Sequence, residues 1–131
     1  MISANELRLG NIFYLKRRRG FFTVEEIRPN HIRLIRENVS DSERFPLDML
    51  MPVPLNHVIV TKYGFRPYSE GWSLDAWSED CKIDLDYKAE GEILFKSRYE
   101  PERQIRLLPT VKYLHQLQNL YFSITGKELE E

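Results

Sequence analysis

The chain has almost no cysteine, no long apolar run, no glycine-rich loop and no marked excess of either charge, and each shortage removes a class of function. Cys81 is the only thiol in 131 residues, so neither an intrachain disulfide nor a cysteine zinc knuckle can be built, which suits a reducing compartment. No stretch reaches the roughly 18 apolar residues of a membrane span. The opening MISANELRLGN lacks the basic start and apolar stretch of a secretory signal. A cytoplasmic location without membrane attachment is expected. The six glycines are scattered at turns, which leaves no phosphate-cradling loop. No His-Glu-x-x-His pattern occurs, no Ser or Cys nucleophile stands at motif spacing beside His115, and no repeat or low-complexity tract is present. No enzyme activity and no cofactor are therefore expected.

What is present is ordinary for a folded chain: 42% hydrophobic and 30% charged residues, enough for one domain that buries roughly two thirds of its unfolded surface. The net charge of −1 hides a polarity. Residues 1–36 carry eight Lys or Arg against three Glu, and the remaining 95 carry eleven against seventeen Asp or Glu. Such a split can steer an anionic partner to one end, or draw the halves, or a second copy of the chain, together.

The longest helical period lies between Leu108 and Leu129, where Val111, Leu114, Leu117, Tyr121 and Ile124 recur at spacings of three and four. Pro109 and Thr110 supply a start and Gly126 a stop. Ahead of it, Ile12 to Lys16, Phe21 to Ile27 and His31 to Arg36 read as a three-strand β meander, compatible with a small SH3-like barrel. Residues 38–54, with three prolines, read as an irregular connector between sub-halves 1–37 and 55–131 of one domain. From Leu55 the positions Leu55, Val58, Ile59 and Tyr63 suit a short helix capped by Asn56 and ended by Gly64, while the β-branched run Val58-Ile59-Val60-Thr61 pulls toward strand. Trp72 to Trp77, Lys82 to Lys88, Glu92 to Arg98 and Arg103 to Leu108 then predict a four-strand antiparallel sheet. Ile83, Leu85 and Tyr87 face its core, and Lys82, Asp84, Asp86 and Lys88 face solvent. The architecture is α+β, with the terminal helix laid across this sheet.

Three anchors carry a resemblance. The run Tyr113 to Phe122 followed by Thr125-Gly126-Lys127-Glu128-Leu129, the opening Ala4-Asn5-Glu6-Leu7-Arg8-Leu9-Gly10-Asn11 and the central Lys62-Tyr63-Gly64-Phe65 together resemble a family of short proteins from gut anaerobic bacteria, their prophages and mobile elements. The anchors stand in the family's order and span nearly the whole chain. The resemblance implies a mobile-element accessory protein and brings no activity and no functional residue. The basic tip and the proline-rich connector lie outside that signature.

The functional candidates follow from residue chemistry. Lys16, Arg17, Arg18 and Arg19 form a hairpin tip flanked by Phe13, Tyr14, Phe21 and Phe22. Cations for phosphates and rings for bases are what single-stranded nucleic-acid sites combine, and Arg33 and Arg36, with Arg8 and Arg28, extend the patch if the meander curls. A solvated tip with its rings in the core is the plainer alternative. Trp72 and Trp77 are candidates for a protein-interaction surface. His115 with Asn119, and Asp84 with Asp86, are weaker candidates for an enzyme or metal site; helix fixation and a wet sheet face explain them as well. The leading expectation is a non-enzymatic binding or adaptor module with a protein partner. Nucleic-acid binding through residues 16–19 is the alternative.

Overall fold

In the first 54 residues the alternation of apolar and polar side chains closes into a sheet. The computed structural model describes residues 2–68, 71–78, 81–86, 91–96, 104–107 and 111–131. It has an α+β fold and divides into two units, Met1–Pro54 with Tyr113–Asn119, and Leu55–Lys112 with Leu120–Glu131.

The first unit starts with a 3-10 turn, Ala4–Glu6. Ser3 Oγ accepts the Asn5 N–H and the Glu6 carboxylate accepts the Ser3 N–H at 2.8 Å, a reciprocal cap that satisfies both ends of the turn. The strands β1 (Ile12–Leu15), β2 (Phe22–Ile27), β3 (Ile32–Arg36), β4 (Ser42–Phe45) and β5 (Leu50–Met51) form one antiparallel sheet in the order β4-β3-β2-β1-β5. The first four strands make a meander, and the fifth returns to pair with the first. Between β4 and β5 the chain makes a second 3-10 turn, Leu47–Met49. The pleat sends Phe13, Leu15, Phe22, Val24, Ile32, Leu34, Phe45 and Leu50 into one core, each large side chain contributing roughly 1.5–3 kcal/mol on burial. A bulge between Val24 and Glu26 breaks the β2–β3 register and adds curl.

The three-strand expectation is thus corrected to five, and residues 38–54 are not irregular. Ser42–Phe45 has little intrinsic strand preference and β5 is only two residues long, so both are strands because they pair with β3 and β1.

In the second unit, α1 (His57–Lys62) settles the ambiguous stretch as a helix: Asn56 Oδ1 accepts the Ile59 N–H at 2.9 Å. Ile59 and Val60 are buried, whereas Val58, expected on the buried side, is 61% exposed. The strands β6 (Arg66–Tyr68), β7 (Gly71–Ser78), β8 (Cys81–Asp86), β9 (Gly91–Lys96) and β10 (Gln104–Leu107) form an antiparallel sheet in chain order. The expected four strands are joined by β6, whose proline disguised it and which forms an edge. Ile83 and Leu85 are fully buried, as the alternation requires. Tyr87 and Lys88, the ends of the strands expected at 92–98 and 103–108, and the start signal Pro109-Thr110 lie outside the described residues.

The last helix, α2, is Leu114–Thr125 and ends at Gly126, whose φ of 71° is the left-handed stop that glycine accepts without strain. It begins later than the apolar period suggests. Tyr113 is held in an isolated bridge to Pro54, the Leu114 N–H donates to Val53 C=O, and Gln116 Oε1 accepts the Tyr113 N–H. Residues Leu114–Asn119 belong to the first unit, an assignment that the expectation of a lid on the later sheet did not contain. No helix among the described residues is long and apolar enough to cross a membrane.

Candidate functional site

The basic tip is the loop between β1 and β2, and its residues fall into two groups. Arg18 is engaged: its guanidinium is 3.8 Å from a Glu43 carboxylate oxygen and lies over the Phe45 ring at 5.6 Å. The side chains of Lys16, Arg17 and Arg19 are exposed and have no ion-pair or hydrogen-bond partner among the described residues. Arg17 takes a φ of 63°, a left-handed conformation that costs a side chain with a Cβ about 1 kcal/mol. Gly20, at φ 97°, closes the loop, and a Cβ there would meet Arg36 Nε at 3.3 Å.

The pleat that buries Phe13 and Phe22 turns their neighbours outward. Tyr14 and Phe21 are half-buried and stacked, ring centroids 5.2 Å apart and planes 21° from parallel. Across β1 from them, Tyr14 pairs with Met51, which is 43% exposed. Of the four flanking aromatics, Phe13 and Phe22 are therefore core, and Tyr14 and Phe21 form a surface pair beside the free cations.

Of the arginines expected to extend the patch, Arg33 and Arg36 do not behave alike. Arg33 is held on β3 by Glu26 at 3.5 Å and by the Ser42 hydroxyl at 3.2 Å. Glu26 also binds Arg28, and the two cations hold its carboxyl below the usual carboxylate range, Arg28 foremost. Arg36 is exposed, lies over the Phe22 ring at 6.0 Å and reaches the tip at Gly20. The patch thus consists of Lys16, Arg17, Arg19 and Arg36 with the Tyr14–Phe21 pair. Its rings were nameable from the sequence, but which of the four faced out needed the strand register.

The polar side of α2 forms a second cluster in the same unit. Gln118, buried, accepts the Ile12 N–H at 2.9 Å and donates to Gly10 C=O at 3.0 Å. Asn119 donates to Glu6 C=O and accepts from buried Asn11 Nδ2, both at 2.8 Å; Asn11 Oδ1 accepts the Arg8 N–H at 2.7 Å. His115 is 1% exposed and packs on the rings of Phe13 and Tyr113, at 4.7 and 6.0 Å. Its Nε2 is 3.5 Å from Glu6 Oε1, and Nδ1 has no partner. Burial holds His115 below its ordinary range, against the pull of Glu6, so the ring is neutral. The proton is assigned to Nε2, which faces the carboxylate. Gln118 and Asn119 thereby tie the helix to the backbone of Glu6, Gly10 and Ile12 and to the side chain of Asn11.

Of the remaining candidates, Asp84 accepts a hydrogen bond from the Ser73 hydroxyl at 2.6 Å, and Lys82 lies 3.9 Å from Asp75. No group of three metal-ligating side chains occurs among the described residues. Trp72 is half-buried and stands opposite buried Leu85 in the β7–β8 pairing, on the core side of that sheet. The side chains of Asp86 and Trp77 lie outside the described residues. No family model, no curated protein and no solved structure matches this chain.

Proposed function

We propose that the chain is a non-enzymatic accessory module that binds single-stranded nucleic acid through the β1–β2 tip. The supporting observation is the outward Tyr14–Phe21 stack beside Lys16, Arg17 and Arg19. A solvated tip needs cations but no outward ring pair, and a protein-binding patch would place its anchors in a desolvated pocket. Bases stack on rings at about 1–3 kcal/mol each, and free cations take up phosphates with release of counterions. A role in a mobile element is compatible with such a module.

Fluorescence anisotropy with labelled single-stranded DNA and RNA tests the reading. Affinity should fall steeply between low and physiological salt, and the Arg17→Ala, Arg18→Ala, Arg19→Ala triple variant should lose most of it. The variant should unfold within about 1 kcal/mol of the parent, because the only contacts it gives up are those of Arg18 with Glu43 and the Phe45 ring. An oligonucleotide bound equally by parent and variant removes the tip from the account.

A further inference from the structure

Lys16 serves two surfaces. It belongs to the tip, and it also lines an open groove of about 410 Å³ in the first unit. Met51 lines the same groove and is the cross-strand partner of Tyr14. The groove therefore begins where the stacked ring pair ends, so a strand lying on Tyr14 and Phe21 can continue into it.

The lining combines flat apolar walls with an uneven set of polar groups. Met51, Pro52 and the ring of Tyr113 supply the walls, and buried His115 carries Tyr113 stacked upon it. Lys16 brings one ammonium, and Asp48 and Glu6 bring two carboxylates. Neither the Lys16 ammonium nor the Asp48 carboxylate has an internal partner among the described residues. Glu6 is only partly engaged: Oε2 accepts the Ser3 N–H, while Oε1 has the 3.5 Å contact with His115. A ligand that fits must offer an acceptor to the ammonium and donors to a carboxylate, on a flat apolar body.

We propose that this groove holds one base of the bound strand and selects guanine; the proposal rests on the nucleic-acid reading of the tip. The Watson–Crick edge of guanine presents the O6 acceptor followed by two neighbouring donors, N1–H and the N2 amino group. A carboxylate receives those two donors together, and the lysine ammonium donates to O6. Adenine and cytosine have one donor group on that edge beside ring acceptors, and uracil or thymine has a single donor between two acceptors. Each of these would leave the carboxylate facing a lone pair. Asp48, exposed and unpaired, is the carboxylate assigned to the guanine edge, because Glu6 already closes the N-terminal cap.

Labelled single-stranded octamers that differ at one position, guanine, inosine or adenine, test this with the full chain and with Asp48→Asn. Guanine should bind about tenfold or more tighter than adenine, with inosine, which lacks the N2 amino group, in between. Asp48→Asn should abolish the preference, read as the ratio of guanine to adenine affinity within the same variant. Guanosine 5′-monophosphate, and not the adenosine nucleotide, should shift the ring resonances of Tyr113 and His115. Octamers that bind without preference, or a guanine preference that survives Asp48→Asn, overturn the groove proposal and leave the tip standing. Failure of every octamer to bind overturns both.

Discussion

Two parts of the first unit use polar residues in opposite ways. On the helix side, Asn11, Gln118 and Asn119 are buried or half-buried, and each has its hydrogen-bonding groups matched to backbone or to one another. At the tip, the charged groups of Lys16, Arg17 and Arg19 are exposed and matched to nothing among the described residues. A buried amide without partners would cost 1–3 kcal/mol, roughly, so the clamp must be complete to exist at all. An exposed cation carries no such penalty and stays available to a ligand. The contrast separates residues that hold the fold from residues that can act on something outside it, although the sequence presents both as clusters of polar side chains.

The strongest way to break the contrast is Gln118→Leu. The Ile12 N–H and Gly10 C=O would lose their partners while the leucine kept the space filled, and stability should fall by roughly 2–4 kcal/mol. Urea unfolding should show a lower midpoint at unchanged slope; a shift under about 1 kcal/mol would mean that water replaces the amide and that the clamp is dispensable.

Acid should also act on the clamp and not on the tip. His115 is held below its ordinary value of 6.5, mainly by burial, and Glu6 below 4.5, mainly by the Ser3 N–H. In both cases the unfolded chain takes the proton first. The His115 contribution is thus complete above pH 6.5 and declines as pH falls through its folded value, and that of Glu6 is complete above pH 4.5 and declines below it. Melting temperature should drop between pH 7.5 and pH 5, and His115→Gln should flatten that part of the profile while the loss below pH 4.5 remains. A parent profile flat from pH 7.5 to 5 would contradict the buried neutral ring.

The smallest effect is expected at the tip. Arg17→Gly relieves the left-handed backbone at φ 63° and should stabilise by about 0.5–1 kcal/mol, while removing one of the three free cations. A thermal melt that moves down instead would show that the Arg17 side chain is held by the fold, contrary to its place among the free residues.

The sequence by itself determined the local features of this protein. The hairpin around residues 16–20, the inward alternation of Ile83 and Leu85, the Asn56 cap and the glycine stop at Gly126 follow from propensities and periods within a few residues. It also held the composition of the tip. Tertiary structure decided what depends on distant partners. Ser42–Phe45 and Leu50–Met51 became strands through pairing with β3 and β1, and Gln118 and Asn119 found their partners 106 to 113 positions away in sequence. The same applies to the charges: Arg33 is bound and Arg17 free because Glu26 and Ser42 stand across the sheet from one and nothing described stands opposite the other. Hydrogen bonds and ion pairs act over about 3 Å in space whatever the separation along the chain, so a one-dimensional pattern carries the donors and acceptors but not their pairing.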